Sequence, residues 1–243
     1  MPLVQTLRSF TLPLLSAATA RPRKGDVTRA SIVEAALGVA SREGLEGLTI
    51  GGLADALKMS KSGVFAHFGS REELQLAVLT AYARRFVDKV LVVAVRRPRG
   101  LPRLRAILDL WLAHLSHELK TGCILIGGAF EYDDREGPLR DAMVEIIDGW
   151  QAELVKAIRL AIDEGHVRPD VDARQIAFEI YGLMLATHQA ARLLRAGDAV
   201  RRARAGVERL LAGACTPAGE RAAKKTSGRG AARPSRAARP RTS

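Results

Sequence analysis

Lys61, Ser62, Gly63, Phe65 and His67 stand within seven residues of one another, and their side chains suit the edge of a nucleic-acid duplex better than a reaction centre. A lysine opening a short helix offers a long cationic donor to a base edge or a phosphate. Ser62 and Gly63 are small enough for a sugar-phosphate backbone to come close. Phe65 offers apolar contact to a thymine methyl, and His67 a donor to a phosphate oxygen. Ser70 and Arg71 follow at the start of another helix, where free N–H groups and the helix dipole favour a phosphate. Catalytic patterns are missing from the sequence: no phosphate-cradling glycine loop ending in Lys-Ser/Thr, no dinucleotide-binding glycines, no His-Glu-x-x-His and no Gly-x-Ser-x-Gly. No cofactor is expected and the chain does not read as an enzyme.

The residues around this set must hold it in place. Thr49 can cap a helix whose apolar face is Ile50, Leu53, Ala54 and Leu57, at the i, i+3, i+4, i+7 spacing. Lys58-Met59 makes a turn, with Met59 plugging the corner. Ser60 caps a second helix, Lys61 to His67, anchored by Val64 and Phe68. Gly69 stops it, and Ser70 with Glu73 has the spacing of a capping box for a third helix. Two helices joined by so tight a turn make a helix-turn-helix, whose second helix enters a major groove. The plainer alternative is a helix-turn-helix used only for packing. Upstream, Asp26 or Thr28 begins a bracing helix with the stripe Ile32, Ala35, Ala36, Val39, Ala40, and Gly44 sits just past its end.

The runs LTIGGLADALKMSKSGVFAHFGSREEL and TRASIVEAALGVASREG resemble the signature of the TetR/AcrR family of one-component bacterial regulators, over about Asp26 to Leu79. The resemblance implies a dimeric, all-helical protein that binds a palindromic operator and releases it on binding a small molecule. It supports DNA contacts at Lys61, Ser62, Gly63, Phe65, His67 and Arg71. The family usually has Thr, Ser or Ala where Gly63 stands and Tyr where Phe65 stands, so a phosphate hydrogen bond is lost here. The full set expected to face the operator is Thr49, Ser60, Lys61, Ser62, Gly63, Phe65, His67, Ser70 and Arg71.

Downstream the pattern stays helical. A helix from Arg71 continues for about 25 residues to a break at Arg96–Gly100. Further helices follow from about Pro102 to Lys120, over a short apolar stretch after Gly122, from Pro138 to Gly165, from Asp172 to about Arg195, and from Asp198 to about Ala212. No alternating β-branched runs appear, so the expected fold is all-α: a three-helix head and a helical body, about nine helices. The expected divisions are an arm (1–25), the helix-turn-helix domain (26–80), a ligand-binding and dimerisation domain (81–215) and a disordered basic tail (216–243). Aromatic and polar residues on the body helices, namely Trp111, His114, Cys123, Phe130, Trp150, Tyr181 and His188, are candidates to line a pocket for a small-molecule effector. For any one of them, ordinary core is the commoner role. His114, His117, Glu118 and Cys123 do not form a recognised metal-ligand spacing, and no metal site is expected. Cys123, in an apolar run, reads as an inert buried thiol, with redox sensing the alternative.

The net charge of +12 comes almost wholly from the chain ends. Residues 1–24 carry four bases and no acid; residues 216–243 carry eight bases and one acid, Glu220. Residues 25–80 carry five bases and seven acids, so the alkaline pI says nothing about the helix-turn-helix. The tail can add salt-sensitive attraction to phosphates, or simply keep the protein soluble. Cys123 and Cys215 have no framework spacing and fit a reducing cytoplasm, and the short apolar run near the N-terminus cannot span a bilayer. The expected partners are double-stranded operator DNA, an unknown small molecule and a second copy, paired through the last two helices. Two rival readings are a helical small-molecule-binding protein with a vestigial head, and a non-specific DNA binder driven by the tails.

Overall fold

The computed structural model describes residues 24–227. Over that span the chain forms ten α-helices: α1 (Lys24–Glu43), α2 (Ile50–Leu57), α3 (Lys61–Phe68), α4 (Arg71–Ala94), α5 (Leu101–Thr121), α6 (Ile124–Tyr132), α7 (Pro138–Asp163), α8 (Ala173–Arg192), α9 (Ala199–Ala214) and α10 (Pro217–Ser227). No named strand occurs among the described residues; Val167 and Cys215 make one isolated antiparallel bridge.

Capping residues set the boundaries in the head. Thr49 Oγ1 accepts the Gly52 N–H, Ser60 Oγ the Gly63 N–H and Ser70 Oγ the Glu73 N–H, each at 3.0 Å. Lys58 adopts the left-handed conformation (φ 54°) that turns the chain between α2 and α3. Two apolar cores result. One gathers α1, α2, α3 and the first half of α4 around Ile32, Leu45, Leu53, Val64, Phe68 and Leu74. The other gathers the second half of α4 with α5, α7, α8 and α9 around Leu104, Trp111, Trp150, Leu154, Ile158 and Ile180. α4 runs unbroken through both, which ties the orientation of the head to the body.

The first core also draws on residues beyond the expected head at 26–80. Ile124, Tyr132, Leu139 and Met143, from α6 and the start of α7, are buried in the first core beside Leu45 and Leu48. Gly122 makes the fit possible. Its φ is +107° and a Cβ there would overlap the Ser41 carbonyl oxygen, so only glycine lets the α5–α6 turn press against the end of α1.

Residues 1–23 of the expected arm and 228–243 of the expected tail lie outside the described residues. Lys24 and Gly25 already belong to α1. The tail expectation is corrected over 216–227, where the chain forms α10 and packs on α5. Its buried face is Gly219 and Ala223, residues too small to register as an apolar stripe in the sequence. They succeed because small residues allow close approach: Gly219 sits directly on the His166 carbonyl, while Thr216 N–H donates to that oxygen at 3.0 Å.

Candidate nucleic-acid interface and ligand cavity

α3 buries Val64 and Phe68 and leaves Lys61, Ser62, Phe65 and Ala66 exposed, with Phe65 51% exposed. This phenylalanine, on the outer face of a short capped helix, takes no part in the apolar core of the head. The Cε and ammonium of Lys61 lie over Gly51 of α2. Ser60 and Ser62 hydroxyls share a contact at 3.2 Å. Gly63 gives its N–H to Ser60, and His67 is half-buried with its ring edge to Phe68 at 6.5 Å. Arg29 from α1 stacks over Phe68 at 4.8 Å. Thr49, Ser60 and Ser70 each accept one cap hydrogen bond, and a hydroxyl that accepts can still donate its hydrogen to a phosphate.

Arg71 makes contacts within the fold that its expected role did not include. Its Nε donates to the Leu48 carbonyl at 2.9 Å, its Nη2 to the Glu46 carbonyl, and it pairs with the Glu46 carboxylate at 3.1 Å. The guanidinium thus holds the turn that precedes α2 through Nε and Nη2 while staying 41% exposed. The cause is geometric: at the start of α4, Arg71 lies beside carbonyls of the 45–48 turn that no helix satisfies.

Glu46 is the centre of a junction between head and body. Besides Arg71, it receives the Tyr132 hydroxyl of α6 and pairs with Arg135 at 2.9 Å, while its own N–H donates to Glu131 at 3.1 Å. Gln75, buried on α4, donates to the Leu45 carbonyl at 2.6 Å and to Tyr132 at 3.4 Å. The Tyr132 hydroxyl and Arg71 hold the Glu46 carboxyl below its usual 4.5, and burial together with Glu46 pushes the Tyr132 hydroxyl up. Nothing in the spacing of the sequence marked Glu46, Tyr132 or Arg135, since each comes from a loop or a helix end.

The opposite end of α6 borders a narrow cavity of about 50 Å³ between α4, α5, α6, α7 and α8. Trp111, Cys123, Trp150 and Tyr181 of the expected set line it, joined by Tyr82, Phe86, Glu118, Leu125, Ile126 and Met184. Tyr82 and Phe86 were not among the residues expected to line a pocket. The aromatic rings meet edge to face, Trp150 lying 4.6 Å from Phe86 and 4.8 Å from Trp111. Three expected residues are elsewhere. Phe130 is 73% exposed, because α6 turns that face away from the core. His114 and His188 are also absent from the cavity lining. His114 packs its ring against Phe86 at 5.2 Å, on a cleft between α1, α4 and α5. Burial and then Arg192 push His188 down.

Glu118 is 6% exposed and accepts the Tyr82 hydroxyl, while Cys123 Sγ stands 3.3 Å from that hydroxyl. Burial, then the charge of Glu118, pushes the Cys123 thiol up to about 12, so it is a poor nucleophile and a poor redox sensor. No group of three or more His, Cys, Asp or Glu suited to a metal ion occurs among the described residues. Nor, among them, is any helix long and apolar enough to cross a membrane.

A capped helix-turn-helix on a three-helix head, continued through α4 into a helical body with an aromatic cavity, is the architecture of a helix-turn-helix regulator. Comparison with known proteins agrees. The model for bacterial regulatory proteins of the tetR family matches residues 32–78, and the tetracyclin repressor-like C-terminal domain matches residues 100–207. A TetR transcriptional regulator from Chloroflexus aurantiacus J-10-FL is 27% identical, with a TM-score of 0.70 over 79% of this chain and 96% of its own. A TetR-family regulator from Cytophaga hutchinsonii is 25% identical, with a TM-score of 0.68 over 81% and 99%. AibR, solved with isovaleryl coenzyme A and operator DNA, is 24% identical, with a TM-score of 0.55 over 66% and 85%. No curated protein matches the chain. The chain belongs to the TetR family of transcriptional regulators.

Proposed function

We propose that the protein is a ligand-released repressor that binds a two-fold operator as a homodimer. The observation that carries this reading is the outer face of α3, where Lys61, Ser62 and Phe65 stand exposed on a helix otherwise fixed by Ser60, Val64 and Phe68. Lys61 is the base-reading donor, Phe65 the contact to a thymine methyl, and Ser62, Gly63 and His67 fix the backbone. The N–H groups at the start of α4, capped by Ser70, receive a phosphate.

Dimerisation uses α8 and α9. Phe178, Gly182 and Ala186 recur every four residues along α8 and are all exposed, Phe178 to 68%. Such an apolar stripe on a helix edge suits a second copy related by two-fold symmetry. Leu183 is not part of it, because its methyls fill the space over Gly206 of α9 within the same chain. The effector binds among Tyr82, Phe86, Trp111, Glu118, Trp150 and Tyr181. A cavity of 50 Å³ is far smaller than a bound organic molecule, so binding must spread its walls. Leu125 and Ile126 of α6 form one wall, and the far end of α6 holds Glu46 beside α2. Displacing α6 thus shifts the turn that orients the helix-turn-helix. AibR, of the same fold, carries both operator DNA and an acyl-CoA ligand, which supports a body that accepts effectors.

A gel-shift across DNA upstream of the protein's own gene tests the reading. A sharp complex that Lys61→Ala weakens on that DNA, and not on scrambled DNA, is the expected result. Length-dependent smearing would show a non-specific binder, and no complex at all would show a vestigial head.

A further inference from the structure

Glu118 places a carboxylate, 6% exposed, in the wall of an otherwise apolar cavity. A carboxylate taken out of water needs either a counter-charge or a full set of hydrogen bonds. Glu118 receives the Tyr82 hydroxyl and a hydrogen bond from the Cys123 thiol, both uncharged donors. His114 Nε2 stands 3.1 Å from it but off line for a hydrogen bond. His188 feels the charge of Glu118, yet burial and Arg192 push it down, toward the neutral form. No lysine, arginine or histidine is among the residues that line the cavity. On the other walls Phe86, Trp111 and Trp150 form a cluster of mutually perpendicular rings, and Tyr181 lies 6.1 Å from Trp111. Aromatic faces attract a cation, most strongly where water is excluded. Carboxylate and rings therefore favour positive charge, and the carboxylate repels an anion.

Resting on the reading of this cavity as the effector site, we infer that the effector is a compact apolar amine, bound as its ammonium with Glu118 as counter-ion. The free room of about 50 Å³ takes an ammonium head and its first carbons. A longer tail displaces the half-buried side chains Leu125, Ile126 and Leu185.

Three probes share one tail and differ in the charge of the head: hexylammonium, hexan-1-ol and hexanoate. The only two tryptophans of the chain, Trp111 and Trp150, both line the cavity, so intrinsic fluorescence of the full-length protein at neutral pH reports directly on this site. Hexylammonium is expected to bind at least about tenfold more tightly than hexan-1-ol, the difference a charge-assisted hydrogen bond makes, and hexanoate more weakly than either. Glu118→Gln keeps an oxygen for Tyr82 and removes the charge, so hexylammonium should fall to the level of hexan-1-ol. Hexan-1-ol binding as tightly as hexylammonium, or E118Q keeping the full preference, overturns the inference and leaves the cavity as the effector site. If none of the three probes moves the emission, the effector-site reading falls as well. Should E118Q lose its helical circular dichroism, the ranking of the three probes on the unaltered protein decides by itself.

Discussion

Replacing Arg71 by alanine separates a structural clamp from a DNA contact. The ion pair with Glu46 joins groups 41% and 39% exposed, so by itself it contributes under about 1 kcal/mol. The carbonyls of Leu48 and Glu46 matter more, because both are held by one charged donor in a part-buried turn. At about 1–1.5 kcal/mol each, their loss brings the expected destabilisation to about 2–3 kcal/mol. For a chain of this length that corresponds to a drop in Tm of roughly 4–12 °C, measured at fixed protomer concentration. Arg71→Lys should fail to rescue, since a lysine ammonium cannot fork to two carbonyls. Lys61→Ala is the control: its melting temperature should be unchanged, while operator affinity falls by about 1–3 kcal/mol and discrimination against scrambled DNA weakens. Thermal melts followed by circular dichroism, with binding measured at several salt concentrations, distinguish the cases. Suppose instead that Arg71→Ala melts normally, lowers the salt slope by about one and is rescued by lysine. Arg71 would then be a phosphate contact, and the clamp would be wrong.

Truncation after Cys215 should lower the Tm by several degrees because it strips α10 from α5, whereas truncation after Ser227 should leave melting unchanged and weaken only non-specific DNA binding, having removed five arginines. With its thiol pushed up to about 12, Cys123 should resist a thiol reagent at pH 8 until the protein unfolds, and mass mapping should find Cys215, half-buried, labelled first. The Glu46 carboxyl is depressed in the fold, so its stabilisation is complete above about pH 4.5, its usual value, and lost as pH falls through the lower folded value. Glu46→Gln should therefore flatten the acid limb of a stability-pH curve in that window. Gly182→Glu, on the exposed α8 stripe, should give monomers by sedimentation velocity, and an unaltered dimer would place the interface elsewhere.

The head was readable because capping chemistry is local. Thr49, Ser60 and Ser70 each bond an N–H three residues on, and the anchors Val64 and Phe68 follow helical spacing. Four of the seven residues expected at a pocket line the cavity, because large aromatics on apolar stripes meet where helices converge. What stayed hidden depends on contacts across long separations. The bonds of Arg71 to residues 46 and 48 span more than twenty residues, and Glu46 and Tyr132 are 86 residues apart. Phe130 and Trp150 look alike in the sequence, but only tertiary packing decided that one is 73% exposed and the other 5%. α10 was missed because glycine and alanine bury a face without any hydrophobic signal.

The participation of Ile124, Tyr132, Leu139 and Met143 in the first core sets a schedule for synthesis. When Leu79 leaves the ribosome, every helix of the DNA-reading unit has been made up to its last apolar anchor, yet that core is still open on one side. It waits for Met143. At about 5–20 residues per second the delay is roughly 3–13 s. Through that interval the core lacks the cover that Ile124, Tyr132, Leu139 and Met143 give it, so the nascent chain exposes apolar surface to a holdase that the finished protein buries. The same dependence means that a head transplanted onto a foreign body needs residues 122–143 to travel with it.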